Sequence, residues 1–76
     1  MSAKKDVHTV PNPNGTGWVN KVGGVPAGTV HRTQATAANV GRTIARLNES
    51  EHSIHRRNGT IGEKNSYGPD SFPPNG

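Results

Sequence analysis

The chain has 76 residues, a net charge of +4 and an isoelectric point near 10.2, so it holds at most one small domain. Seven Val, three Ile, one Leu and one Phe are its strong core formers, a share below the roughly 20% under which folding becomes hard to sustain. With no cysteine, neither a disulfide nor a thiolate zinc site can supplement so small a core, whereas self-association into a homodimer would.

Residues 1–5 carry two lysines and no apolar run, the pattern of a flexible tail and not of a signal peptide. No apolar run approaches the ~18 residues of a membrane span, so the expectation is a cytoplasmic protein with no membrane partner. Asp6 to Val10 reads as a strand. Pro11 to Gly17, PNPNGTG, is turn chemistry with Asn14-Gly15 as the reversal, and Gly17 to Val22 is the return strand. Alternation puts Trp18, Asn20 and Val22 on one face of it. Trp18 is the only tryptophan and is assigned to the core; an exposed base-stacking platform is the alternative. Gly23 to Gly28, GGVPAG, reads as a flexible linker, and without a Gly-Lys-Ser/Thr ending it is not a phosphate loop. Thr29 to Arg32 has the composition of a short third strand.

Thr33 to Leu47 carries the one clear helical period. Ala37, Val40, Ile44 and Leu47 recur at spacings of three, four and three, which predicts a stripe seated on the sheet. Thr33 is a suitable N-cap, and Asn48 tolerates the left-handed conformation that ends a helix. Gly41 costs about 1 kcal/mol in mid-helix relative to Ala, which calls for a reason such as close packing. Arg42 and Arg46 fall roughly opposite the stripe, either as a solvated face or as a basic ridge.

After the helix, Glu51 to Arg56 reads as a strand with Ile54 facing inward. Asn58-Gly59 predicts a hairpin with a type I′ turn, and Thr60 to Lys64 the partner strand anchored by Ile61. The three Asn-x-Ser/Thr matches, at Asn14, Asn48 and Asn58, read as turn residues. The predicted fold is α+β: a small antiparallel sheet in the order β-β-α-β-β, with one helix packed on one face. Residues 6–64 form the single domain, between the tail at 1–5 and an irregular Pro-rich tail at 65–76.

Charge is unevenly distributed. From Val7 to Asn48 there is no acid, while Lys21, Arg32, Arg42 and Arg46 lie inside that stretch and Arg56-Arg57 follow it. Such an imbalance favours nucleic acid or an acidic protein surface as partner. Catalytic chemistry finds no motif. Glu49, Glu51, Glu63 and Asp70 have no positioning context, and no serine sits in a Gly-x-Ser-x-Gly elbow. His52 and His55 point to opposite faces of a strand, which disfavours a shared metal, and His52 is placed at the core edge beside Ile54. No catalytic residue, metal ligand or cofactor is assigned.

Several short segments in order resemble a bacterial family, domain of unknown function 2188. They are His8-Thr9-Val10-Pro11-Asn12-Pro13, Gly17-Trp18, Thr33-Gln34-Ala35, then Ile54-His55-Arg56-Arg57-Asn58-Gly59-Thr60-Ile61, Ser66-Tyr67-Gly68 and Phe72-Pro73-Pro74. The family pattern runs His-Val-Val-Pro-Asn, Gly-Trp, Thr-Gln-Ala, a helix, Ile-His-Gly-Arg-Asp-Gly-x-Ile, Ser-Tyr-Gly and a Pro-Pro tail. The resemblance implies a small stand-alone domain in a bacterial or phage setting and brings no activity with it. Thr36, Asn39 and Thr43 stand where relatives typically carry helix acids, Arg56 where they carry Gly and Asn58 where they carry Asp, so this chain is the more basic.

The expected function is non-enzymatic binding of a polyanion, nucleic acid first. Arg42 and Arg46 would act from the helix and Arg56 and Arg57 from the hairpin tip, with Lys21 and Arg32 in support. The alternative is a protein-interaction module, an adaptor or a phage-type inhibitor of a host complex. It would use a sheet edge or the tail residues Tyr67, Phe72, Pro73 and Pro74.

Overall fold

Five strands and one helix follow one another in the computed structural model, which describes residues 5–67. They are β1 (Val7–Pro11), β2 (Trp18–Val22), β3 (Val25–His31), α1 (Gln34–Asn48), β4 (Glu51–His55) and β5 (Ile61–Ser66). The sheet order is β3-β2-β1-β4-β5, and α1 packs against β1, β2, β4 and β3. The α+β class with one helix holds, but the order is β-β-β-α-β-β and the sheet is mixed. β1 and β4 run parallel, and the other pairs are antiparallel. The cause is the crossover. The helix starts where β3 ends and carries the chain back along the sheet, so β4 enters beside β1 in the same direction.

The third strand contains the expected Thr29–His31 stretch and extends back to Val25, into the segment read as a linker. Gly23 and Gly24 take φ of 60° and 85°, the positive pair that a two-residue type I′ turn requires, and Val22 pairs directly with Val25. At the other hairpin the type I′ expectation fails. Gly59 N–H bonds to Arg56 O at 2.8 Å, Arg56 N–H bonds to Thr60 O at 2.7 Å, and only Gly59 has positive φ. That is a three-residue loop closed by a glycine bulge. β5 runs two residues past the predicted Lys64. Of the tail residues, Tyr67 donates its N–H to Ser50 O at 3.1 Å, while Phe72, Pro73 and Pro74 lie outside the described residues.

Thr33 caps α1 as expected, its hydroxyl accepting from Thr36 N–H. The left-handed closing residue is Glu49, one beyond Asn48, and its N–H reaches Ala45 O and Arg46 O. The stripe assignment needs correction. The buried residues of α1 are Ala37, Ala38, Gly41 and Ala45, whereas Val40 is 39% and Leu47 79% exposed and Ile44 is half-buried. A helix turns about 100° per residue, which sets the Ala37–Gly41–Ala45 row about a quarter turn from the aliphatic row. The small row wins because it lets the helix backbone come close to the sheet. The sheet supplies the bulk instead, from Val7, Trp18, Ile54 and His52. Trp18 is 5% exposed and therefore a core residue, with no free face for a stacked base.

Candidate functional site

Beneath Gly41 lies a buried polar cluster built from three strands. Strand pairing sets Thr9 opposite Asn20, and all of Thr9, Asn20 and His52 are fully buried. Asn20 Nδ2 donates to Ala37 O at 2.9 Å, which turns its Oδ1 toward Thr9. Thr9 donates its hydroxyl proton to that oxygen at 2.6 Å, leaving a lone pair for His52 Nε2 at 2.8 Å. His52 is therefore neutral with its proton on Nε2, and its buried Nδ1 has no hydrogen-bond partner. Burial holds its pKa below the ordinary value, and the Arg42 charge adds to the depression; Glu63 opposes it and His8 adds slightly. The cluster joins helix to sheet but is closed to solvent, so it is structural. The predicted place of His52 at the core edge was too shallow.

The opposite face of the sheet holds a second histidine pair. Parallel pairing of β1 with β4 brings His8 Nδ1 to 3.0 Å from His55 Nε2, with ring centroids 5.2 Å apart. His55 Nδ1 donates to Gly59 O at 2.9 Å, so its Nε2 presents a lone pair. Both rings are half-buried. No sequence spacing joins residues 8 and 55. Only the pairing of the first strand with the fourth reveals them, and the His52–His55 spacing draws attention elsewhere.

The six basic candidates do not share one surface. Lys21 lies on the sheet face away from α1, across from His8. Arg42 is half-buried, donates to Asn39 Oδ1 at 3.0 Å and acts electrostatically on His52. Arg46 is exposed in the last turn of α1. Arg32, Arg56 and Arg57, all exposed, gather at the pole where β3 ends, α1 begins and the β4–β5 turn sits. Trp18 organises that pole. Its strand partner is His31, next to Arg32, and the Arg57 guanidinium carbon lies 4.9 Å from the centre of its ring. Thr16, Gly17, Val30, His31 and Arg32 line a cleft of about 300 Å³ there. A second cleft, of about 220 Å³, joins Gln34 and Arg56 to Glu63.

Among the described residues, the other acids, Asp6, Glu49 and Glu51, lie at the far pole, where α1 ends and β1 and β4 begin. Asp6 Oδ1 accepts from Glu51 N–H at 3.2 Å, Glu51 pairs with Lys64 at 3.1 Å, and Glu49 closes the helix. Charge is thus unequally divided along the strands, with Arg32, Arg56 and Arg57 at one pole and Asp6, Glu49 and Glu51 at the other, where Arg46 and Lys64 also lie. Among the described residues, no group of three or more His, Cys, Asp or Glu could share a metal ion, and no helix is long and apolar enough to cross a membrane.

A five-stranded mixed sheet under one small-faced helix, with a basic pole, is the class of domain defined so far. Residues 7–67 match the model of a family described as an uncharacterized protein conserved in bacteria, DUF2188, and the chain belongs to that family. No curated protein and no solved structure is matched by the chain.

Proposed function

We propose that this protein is a non-enzymatic binding module that takes a polyanion, nucleic acid first, at its arginine pole. The observation that carries the reading is the gathering of Arg32, Arg56 and Arg57 at the end opposite Asp6, Glu49 and Glu51. Phosphates approaching that pole also meet the first turn of α1, whose dipole favours negative charge. Base stacking on Trp18 has no part in it, so binding is backbone-directed and weakly sequence-selective. Relative to the sequence expectation, Arg32 and Arg57 move to the centre, and Lys21 and Arg46 fall away.

Fluorescence anisotropy with labelled single-stranded and duplex DNA and RNA tests this. Affinity should fall steeply with salt, and R32A/R57A should flatten that slope by about one to two units of log K against log salt. R46A should leave it unchanged. No binding at about 50 mM salt, or an equal effect of R46A, overturns the reading.

One observation favours a second reading, an interface with another protein. Val25 and Leu47 are 64% and 79% exposed on the helix side of the molecule, more apolar surface than a core this small would idly leave out. Sedimentation of the wild type against L47E tests whether that partner is a second copy of the chain. A monomer in both cases removes self-association.

A further inference from the structure

We propose that His8 and His55 form a binding site for a late first-row divalent metal ion of the Ni²⁺, Cu²⁺ and Zn²⁺ class, on the sheet face away from α1. This goes beyond polyanion binding and involves none of the arginines. His8 Nδ1 and His55 Nε2 stand 3.0 Å apart. Two imidazole nitrogens at about 2.0 Å from one ion are about 2.8 Å apart in a square-planar cis arrangement and about 3.3 Å apart in a tetrahedral one. The observed separation falls between these values, so the spacing suits an ion once the His8 ring has turned Nδ1 off the line to His55 Nε2 and broken the hydrogen bond between them.

The second observation is the orientation of His55. A metal-binding histidine almost always donates its other ring N–H to a carbonyl or carboxylate, which fixes its tautomer and strengthens the ligand. His55 Nδ1 makes that bond to Gly59 O at 2.9 Å, in the turn where Gly59 has φ of 95°. The donor nitrogen is thereby already the correct one. His8 needs only a change of tautomer. In the free protein its Nδ1 carries the proton shared with His55, and on metal binding the proton resides on Nε2.

No third His, Cys, Asp or Glu among the described residues can share the ion, which leaves the remaining coordination positions to water. Hard ions such as Mg²⁺ and Ca²⁺, which want oxygen ligands, are rejected. Cu²⁺ should bind tightest and Zn²⁺ and Ni²⁺ less tightly, following the usual order of divalent affinities. His52 is unsuited, because its Nε2 is committed to Thr9 and the ring is fully buried.

The test is titration of the full chain with each metal ion alone, followed by calorimetry and by long-range ¹H–¹⁵N spectra of the imidazoles. Shifts or paramagnetic broadening should centre on His8 Nδ1 and His55 Nε2 while His31 and His52 stay unaffected. H8A and H55A should each weaken binding by about tenfold or more, and H31A should not. Circular dichroism checks that the variants fold, and the wild-type spectra locate the ligand atoms without any variant. No binding at millimolar ion, equal binding by the H8A/H55A double variant, or broadening at His31 in place of the pair overturns the site.

Discussion

The two long sides of α1 follow opposite rules. The side facing the sheet consists of Ala37, Ala38, Gly41 and Ala45, and it rests on a floor that is partly polar: Thr9, Asn20 and His52. The face about a quarter turn away carries the large aliphatic residues Val40 and Leu47, and it is open to water. Small residues bring a helix close, and closeness is what allows Asn20 to reach the helix carbonyl at Ala37. Large residues at Gly41 or Ala45 would lift the helix away and strand that amide. Where apolar area is scarce, a satisfied hydrogen-bond cluster under a closely docked helix supplies the specificity that bulk cannot.

The sharpest way to break this contrast is to give Gly41 a side chain. A Cβ there would stand 2.5 Å from Asn20 Oδ1, 2.7 Å from His52 Nε2 and 2.9 Å from Thr9 Oγ1, all rigid members of the cluster. G41V should therefore cost at least the about 1–3 kcal/mol of a typical overpacked core. That is a large share of the about 3–5 kcal/mol that a core this size provides. Urea denaturation should show a clearly lowered midpoint. A fully folded G41V with an unchanged midpoint would mean that the helix does not lie this close.

A smaller effect comes from protonating the same cluster. His52 is held neutral by burial and by Arg42, so its folded pKa lies below the 6.5 of the unfolded chain. The unfolded state takes up the proton first as pH falls. Stability is thus full above pH 6.5 and declines below it, until the folded ring itself titrates. Thermal midpoints from pH 8 to pH 5 should fall for the wild type, and the fall should lessen in H52N. A wild-type midpoint that rises over this range contradicts a neutral, buried His52.

The smallest expected effect is at the open flank. L47A removes a side chain that is 79% exposed and should change stability by less than about 0.5 kcal/mol, read from the same urea curves. A loss of about 2 kcal/mol or more, the cost of a buried leucine, would place Leu47 in an interior after all.

This same contrast marks how far the sequence could be read. The helix itself was legible, with Thr33 as its cap, because capping and periodicity are local. So was the inward face of β2, where Trp18 and Asn20 alternate into the interior. Which face of the helix docks was not legible. Periodicity ranks residues by size and hydrophobicity, and Ala and Gly score low on both. Gly41 was the available signal: a glycine kept at about 1 kcal/mol in mid-helix implies something pressed against it. The first half of β3 was missed because Gly23-Gly24 fits a linker and a type I′ turn equally well until Val22 and Val25 are seen paired, whereas Thr29 to His31 fall in the short third strand that the composition suggests. The parallel β1–β4 pairing spans more than forty residues, and no local pattern encodes it. The His8–His55 pair and the Thr9–His52 bond both depend on it. The basic candidates were identified by charge alone, and charge does not say which arginines end up at one pole.

The most direct measurement of how α1 is seated is the long-range ¹H–¹⁵N spectrum of the histidine rings at neutral pH in the free protein. His52 should show the neutral Nε2–H tautomer, with a proton that exchanges slowly because Thr9 accepts it beneath Gly41. An Nδ1–H tautomer, a charged imidazolium or rapid exchange with water at His52 would contradict a helix docked on that cluster through its small side chains.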